Sequence, residues 1–204
     1  EKTLISMRKG GIFDQLGFGF HRYSTDRHWL VPHFEKMLYD QALHMLAYTE
    51  AFEATSKPLY KETAEKIGEY VRRNLTSKEG AFFSAEDADS EGEEGKFYLF
   101  SSSEIRNLLD KETADVVVRW FGVLSEGNYE DESHGRRTGL NILHEGISID
   151  SISAQTGLKK EDIEKRLVLA SKTLFQTREE RIGPLLDDKV LTDWNGLMIA
   201  ALAK

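Results

Sequence analysis

The chain has 204 residues, enough for one large domain or two small ones. Apolar residues make up 40% and charged residues 30%, which excludes disorder, a state that combines low hydrophobicity with high net charge. A formal net charge of −8, with no basic cluster beyond the pairs Arg136-Arg137 and Lys159-Lys160, argues against nucleic acid and anionic membranes as partners.

There is no cysteine, so this segment holds no disulfide, thiolate metal site or cysteine nucleophile. No apolar run reaches the length of a membrane span, and no signal-peptide pattern is present. A cytoplasmic setting is expected. The chain opens at Glu1 inside what reads as a helix (Leu4, Ile5, Met7) and closes in the apolar run Trp194 to Lys204 without a cap. Both ends are expected to be cuts in a longer protein.

An irregular stretch begins at Gly10-Gly11-Ile12-Phe13. Its second part, residues 17–40, reads GFGFHRYSTDRHWLVPHFEKMLYD. His21, His33, Arg22, Tyr23 and Trp29 crowd this span. Aromatic rings stack on C–H faces and polar groups fix hydroxyls, so the cluster suits a sugar-like ligand. His21 and His33 are candidate general acids or bases. The plain structural alternative makes His33 a helix cap and Glu35 a partner for the helix's positive end. Pro32 marks the expected start of that helix.

Over residues 34–55, Phe34, Leu38, Gln41, Met45, Tyr48 and Phe52 recur at helical spacing, while Tyr39, Leu43 and Leu46 cover the other side. Apolar residues nearly all round predict burial on both faces. Glu35 and Asp40 on such a helix need partners, with Lys36 or Arg22 the nearest, or belong to a site together with Tyr39. Residues 58–75 carry one apolar stripe (Tyr60, Ala64, Ile67, Val71, Leu75) and one charged face, which predicts an outer helix led by Pro58.

A second irregular stretch starts at Gly80-Ala81-Phe82-Phe83. Phe82 to Ser84 and Lys96 to Phe100 are expected to pair as a hairpin, with Glu91-Gly92 near its turn. The acidic run 86–96 imitates the start of an EF-hand loop, but Tyr98 stands where the bidentate glutamate belongs. It reads either as a solvated turn or as a loop that points Asp87 and Asp89 into a cleft. Ser102-Ser103-Glu104 and Lys159 to Thr177 predict two further helices, and residues 122–146, marked by Gly122, Gly127, Gly135 and Gly139, read as loop. A third stretch, Ile182 to Asp188, precedes Trp194. Its carboxylates Asp187 and Asp188 are further acid/base candidates, Asp193 a candidate cap, and Trp194 with Asn195 candidate ligand contacts. The three stretches read as irregular repeats of one helical hairpin. No pattern in the sequence asks for a metal or cofactor: Walker A, G-x-G-x-x-G, H-E-x-x-H and G-x-S-x-G motifs are absent.

Residues 10–42, 86–98 and 187–203 together resemble the DUF255 (YyaL-like) family, in the same order and over most of the chain. The resemblance implies an N-terminal thioredoxin-like domain followed by an (α/α)6 toroid, similar to six-hairpin glycosidases and N-acylglucosamine 2-epimerases. Residues 1–204 would then be a partial toroid, all-α with short β-hairpin loops, truncated at both ends and prone to self-association. The three loops would share one face. The expected function is binding or transforming a sugar or sugar-like polyol; the alternative is a non-catalytic binding module working with the upstream redox domain.

Overall fold

A computed structural model of the chain describes residues 1–131 and 136–204. About half of the chain is helical, in eight helices among the described residues, and two-residue strands tie the loops together. The helices are α1 (Lys2–Lys9), α2 (Leu38–Thr55), α3 (Pro58–Asn74), α4 (Ser102–Leu108), α5 (Lys111–Trp120), α6 (Ile149–Thr156), α7 (Lys160–Glu179) and α8 (Thr192–Ala203). No described helix is long and apolar enough to cross a membrane. Gly135 lies outside the described residues.

The helix expected from Phe34 begins at Leu38. Upstream of it, burial alternates: Pro32, Phe34, Lys36 and Leu38 face inward, while Val31, His33, Glu35 and Met37 stay partly open. Period two is the signature of extended chain. Pro32–His33 pairs with Tyr23–Ser24, and Lys36–Met37 pairs with Ala85–Glu86. Pro32 therefore lies in an extended ribbon, and His33 caps nothing: the N-cap of α2 is Met37. The inward face of α2 (Leu38, Gln41, Ala42, Met45, Tyr48) packs between α3 and α8. Its other side is open enough that Leu43 is 51% exposed, so burial on both faces is incomplete. In α3, Pro58 occupies the first turn and Tyr60, Ala64, Ile67 and Val71 are buried as one stripe.

The predicted hairpin of residues 82–84 with 96–100 does not form. Phe100–Ser101 pairs with Leu140–Asn141. Glu91-Gly92 instead turns a tighter hairpin, Asp89–Ser90 against Glu93–Glu94, and both turn residues have positive φ (54° and 79°). Positive φ at both central positions matches the twist of a two-residue hairpin. Ala85–Glu86 becomes the middle strand of a three-stranded sheet, flanked by Lys36–Met37 and Leu186–Asp187.

That sheet corrects the reading of three repeats. The stretches at 80 and 182 lie side by side as one connection from α3 to α8. Residues 87–185, with α4 to α7, are inserted into it. The insertion has its own apolar cluster, including Phe100, Ile105, Val116, Val117, Phe121 and Leu174, separate from the cluster around α2, α3 and α8. A third cluster, of Phe34, Phe97, Tyr98, Leu99 and Ile142 among others, joins the two. Helices α5 and α6 are additions to the sequence reading. The run Val116-Val117-Val118 is β-branched and disguises α5, but Asp110 caps it through the amides of Glu112 and Thr113. Ser148 caps α6 in the same way. Asp193 is not a cap: Leu191 holds that place in α8, and Asp193 accepts from the neighbouring Trp194 amide.

Candidate functional site

The alternation from His33 to Tyr39 decides what meets solvent. Because Phe34 and Lys36 point inward, His33, Glu35 and Tyr39 emerge on the opposite side. There Arg22 Nη1 donates to Glu35 Oε2 at 2.9 Å, and Arg22 Nε donates to Tyr39 Oη at 3.1 Å. His33 stands between two carboxylates, with Nε2 3.1 Å from Glu35 and Nδ1 2.7 Å from Glu94. Tyr23 stacks on the His33 ring at 5.0 Å, and Tyr39 meets Trp194 edge-on at 4.7 Å. The structure thus gathers Arg22, Tyr23, His33, Glu35, Tyr39 and Trp194 into one linked group.

Asp40, in the first turn of α2, adjoins this group. Its Oδ2 is buried and no described residue bonds it. Burial, with the nearby charge of Glu35, pushes its carboxyl up to about 7, against the opposing pull of Arg22. Glu35 lies between Arg22 and His33, while the Asp40 carboxyl holds its proton into the neutral range. A carboxyl poised near neutrality is suited to acid/base chemistry.

The other sequence candidates lie elsewhere. His21 is 2% exposed, edge-on to Phe34 and Tyr98, with Nδ1 2.9 Å from the Phe34 carbonyl. Burial, aided by the charge of Lys36, lowers its pKa to about 3, so its ring is neutral near pH 7. Asp87 and Asp89 are exposed, and Asp87 Oδ1 accepts from its neighbour Ala88. Asp187 is held by Lys189 at 2.5 Å, which keeps its carboxyl below the ordinary range; Asp188 is exposed. Asn195 is fully engaged: Oδ1 accepts from the Phe82 amide and Nδ2 donates to the Phe82 carbonyl, both at 2.9 Å. Trp29, at φ 63°, packs on the main core in a loop whose His28, Leu30 and Val31 amides are all held by Asp26. Among the described residues no group of three or more His, Asp or Glu is placed to hold a metal ion. A groove of about 600 Å³ between α3 and α7, floored by Phe18, Phe121 and Phe175, contains none of the candidates.

Beneath the candidate face lies a charged cluster that the sequence did not reveal. Asp14 accepts from Lys36 Nζ and from Arg178 Nη1, each at 2.8 Å, and both cations are almost fully buried. Asp14 Oδ1 also takes the amides of Leu16 and Gly17. Burial alone would raise its pKa, but Arg178 and Lys36 outweigh it and hold the carboxyl well below the usual range. The ammonium of Lys36 also faces the rings of Tyr70 and Tyr98. Glu86 takes bonds from Tyr70 Oη at 2.6 Å and Asn74 at 2.8 Å. Glu94 was hidden for another reason: its partner His33 lies 61 positions away, and the hairpin at Glu91-Gly92 joins them.

The architecture and this face define a helical-hairpin protein with a polar, carboxylate-bearing surface built from the loops that precede its helices. The chain is 39% identical to spermatogenesis-associated protein 20 of Homo sapiens across 98% of its own length, and 38% identical to the Mus musculus protein. It is 35% identical to an uncharacterized protein of Caenorhabditis elegans across its whole length. Similarity at this level runs along essentially the full chain in each of these relatives. The chain spans 28% of the length of the human relative. No protein-family model matches it.

Proposed function

We propose that the face formed by Arg22, His33, Glu35, Tyr39, Asp40 and Trp194 binds a sugar or sugar-like polyol, and that Asp40 moves a proton in an epimerase- or hydrolase-like reaction. The observation that carries this reading is the Asp40 carboxyl: buried at Oδ2, without a described partner, and pushed up to about 7 beside the ion-paired Glu35. Tyr39 and Trp194, set edge-on to each other, supply aromatic rings against which a pyranose can pack. Within this reading the chain is the DUF255-type part of an (α/α)6 toroid, carried in the cytoplasm behind a thioredoxin-like domain, and the sugar chemistry rests on analogy with other toroids.

The test uses the full-length protein. Solvent deuterium incorporation into a panel of aldoses, N-acylhexosamines and polyols, with parallel assays for released reducing ends, is expected to detect turnover that Asp40→Asn abolishes. Turnover that survives Asp40→Asn, or none with any member, overturns the catalytic role.

A second reading is favoured by one observation. His33 is clamped between Glu35 and Glu94, and Arg22 is shared by Glu35 and Tyr39, so these polar groups already satisfy one another. That suits a non-catalytic module that presents a ligand to the redox domain. Sugar binding that Trp194→Ala abolishes and Asp40→Asn leaves intact, without turnover, is its signature.

A further inference from the structure

We propose that a small cavity beneath the candidate face holds one ordered water molecule, bound by His21, Tyr98 and Arg178, that sets the tautomer of His21 and through it the backbone ahead of Glu35. The cavity measures about 20 Å³ and is lined by Phe13, Asp14, His21, Phe34, Tyr98 and Arg178, among others. A single water needs roughly 10–15 Å³ of such space and two to four polar partners.

Each partner has an open valence. Tyr98 Oη and Arg178 Nε are buried and bonded by no described residue. Their residues are 7% and 3% exposed, so bulk solvent does not serve them. His21 Nδ1 lies 2.9 Å from the Phe34 carbonyl, and a carbonyl only accepts. Nδ1 therefore carries the ring hydrogen, and Nε2 is a bare lone pair. Tyr98 and Arg178 have hydrogens to donate and His21 has a lone pair to fill. A phenol can accept as well as donate, but Tyr98 Oη and Arg178 Nε bond neither each other nor His21 in the structure, so the three positions stay open. One water accepts from both donors and gives a hydrogen to Nε2. Its second hydrogen has Asp14, whose Oδ2 takes one bond, from Lys36. A buried polar group left unbonded is costly, so a molecule that completes all of them is retained.

The consequence reaches the surface. With the water on Nε2, His21 is fixed as the Nδ1–H tautomer and its hydrogen holds the Phe34 carbonyl. The next residue is Glu35, whose own carbonyl accepts from the Arg22 amide at 2.8 Å. The water is thus a positioning element for the Arg22–Glu35 pair, and the inference stands whether or not that face is catalytic.

Two measurements test it on the full-length protein. A high-resolution crystal structure is expected to show a density peak about 2.7–3.2 Å from Tyr98 Oη, Arg178 Nε and His21 Nε2. An empty cavity, side chains closed directly on one another, or a peak that gives a bromide anomalous signal after a bromide soak overturns it. Long-range 1H–15N correlation is expected to report His21 as Nδ1–H with a hydrogen-bonded Nε2. An Nε2–H ring, or a non-bonded Nε2, overturns it equally.

Discussion

Asp14 and Arg178 stand 164 positions apart and meet at 2.8 Å in the interior, 4% and 3% exposed at the side chain. Asp14 belongs to the loop under α2, and Arg178 to the last turn of α7. The pair therefore joins the helical hairpin to the inserted helices, and Lys36 closes the group on the side of the candidate face.

Removing Asp14 strands two buried cations, whereas removing Arg178 leaves Asp14 still paired with Lys36. Asp14→Asn is expected to lower unfolding free energy by about 3–5 kcal/mol, and Arg178→Met by less, both read by denaturant titration. A loss under about 1 kcal/mol for Asp14→Asn would show that solvent reaches the pair and screens it. Gly17→Ala attacks the same contact sterically, since its Cβ would lie 2.1 Å from Arg178 Nη2.

The two titrating groups of opposite habit, His21 and Asp40, predict opposing pH slopes. His21 falls from 6.5 to about 3 on folding, so the unfolded chain binds the extra proton and stability is lost as pH drops from 6.5 towards 3. Asp40 rises from 3.8 to about 7, so the folded chain binds the extra proton and stability is lost as pH climbs from 3.8 to 7. Between pH 3.8 and 6.5 the two offset each other. Asp40→Asn is expected to steepen the rise of melting temperature with pH in that window, and His21→Gln to flatten or reverse it. Parallel curves for both variants and the parent would contradict the assignment.

Asp40 itself should titrate near 7 in a carboxyl-carbon NMR experiment. Glu35→Gln removes a like charge and is expected to bring that value down. Arg22→Gln removes the opposing cation and is expected to take it higher. Shifts in the reverse senses would mean that the Arg22–Glu35 pair does not act on Asp40 through its charges.

Gly10 and Gly11 are required by a passing chain. A Cβ at either would lie 2.1 Å from a carbonyl oxygen, of Trp29 or Leu30. Backbone cannot swing aside as a side chain can. Alanine at either position is expected to displace residues 29–31, and with them the His33 ribbon, seen as a loss of melting temperature and of ligand binding together. Alanine at Gly92, where nothing lies within 4 Å, meets no atom and suffers only from its φ of 79°, a smaller cost confined to the exposed turn.

The helices with one wet face were legible because their period is unambiguous. The stripe of α3 runs from Tyr60 to Val71, and Pro58 marks its start. Residues 32–38 misled for a definite reason. Their alternation is strict, but Lys36 occupies an inward position, and a lysine breaks the apolar pattern by which a buried strand is recognised. Asp14, the Phe18 carbonyl and the Tyr70 and Tyr98 rings, all distant in sequence, make that burial tolerable. The candidate face was legible as a cluster, with Arg22, His33, Glu35, Tyr39 and Asp40 all within residues 17–40. Its outer members were not: Glu94 arrives through a hairpin, and the acidic residues Asp87 and Asp89 of the same loop face water. Asn195 looked like a ligand contact, and its amide proves to complete the backbone of Phe82.

Glu86 pairs with Lys36 on one side and Leu186 on the other. The insertion therefore leaves and rejoins the sheet at neighbouring strands, about 4.8 Å apart. To the helical hairpin, everything between these two points is a cassette. It is free to lengthen, shrink or be exchanged over generations while the strands that carry the candidate face keep their register. Two parts of the cassette are not free: Glu94, which holds His33, and Arg178, without which Asp14 is left to Lys36.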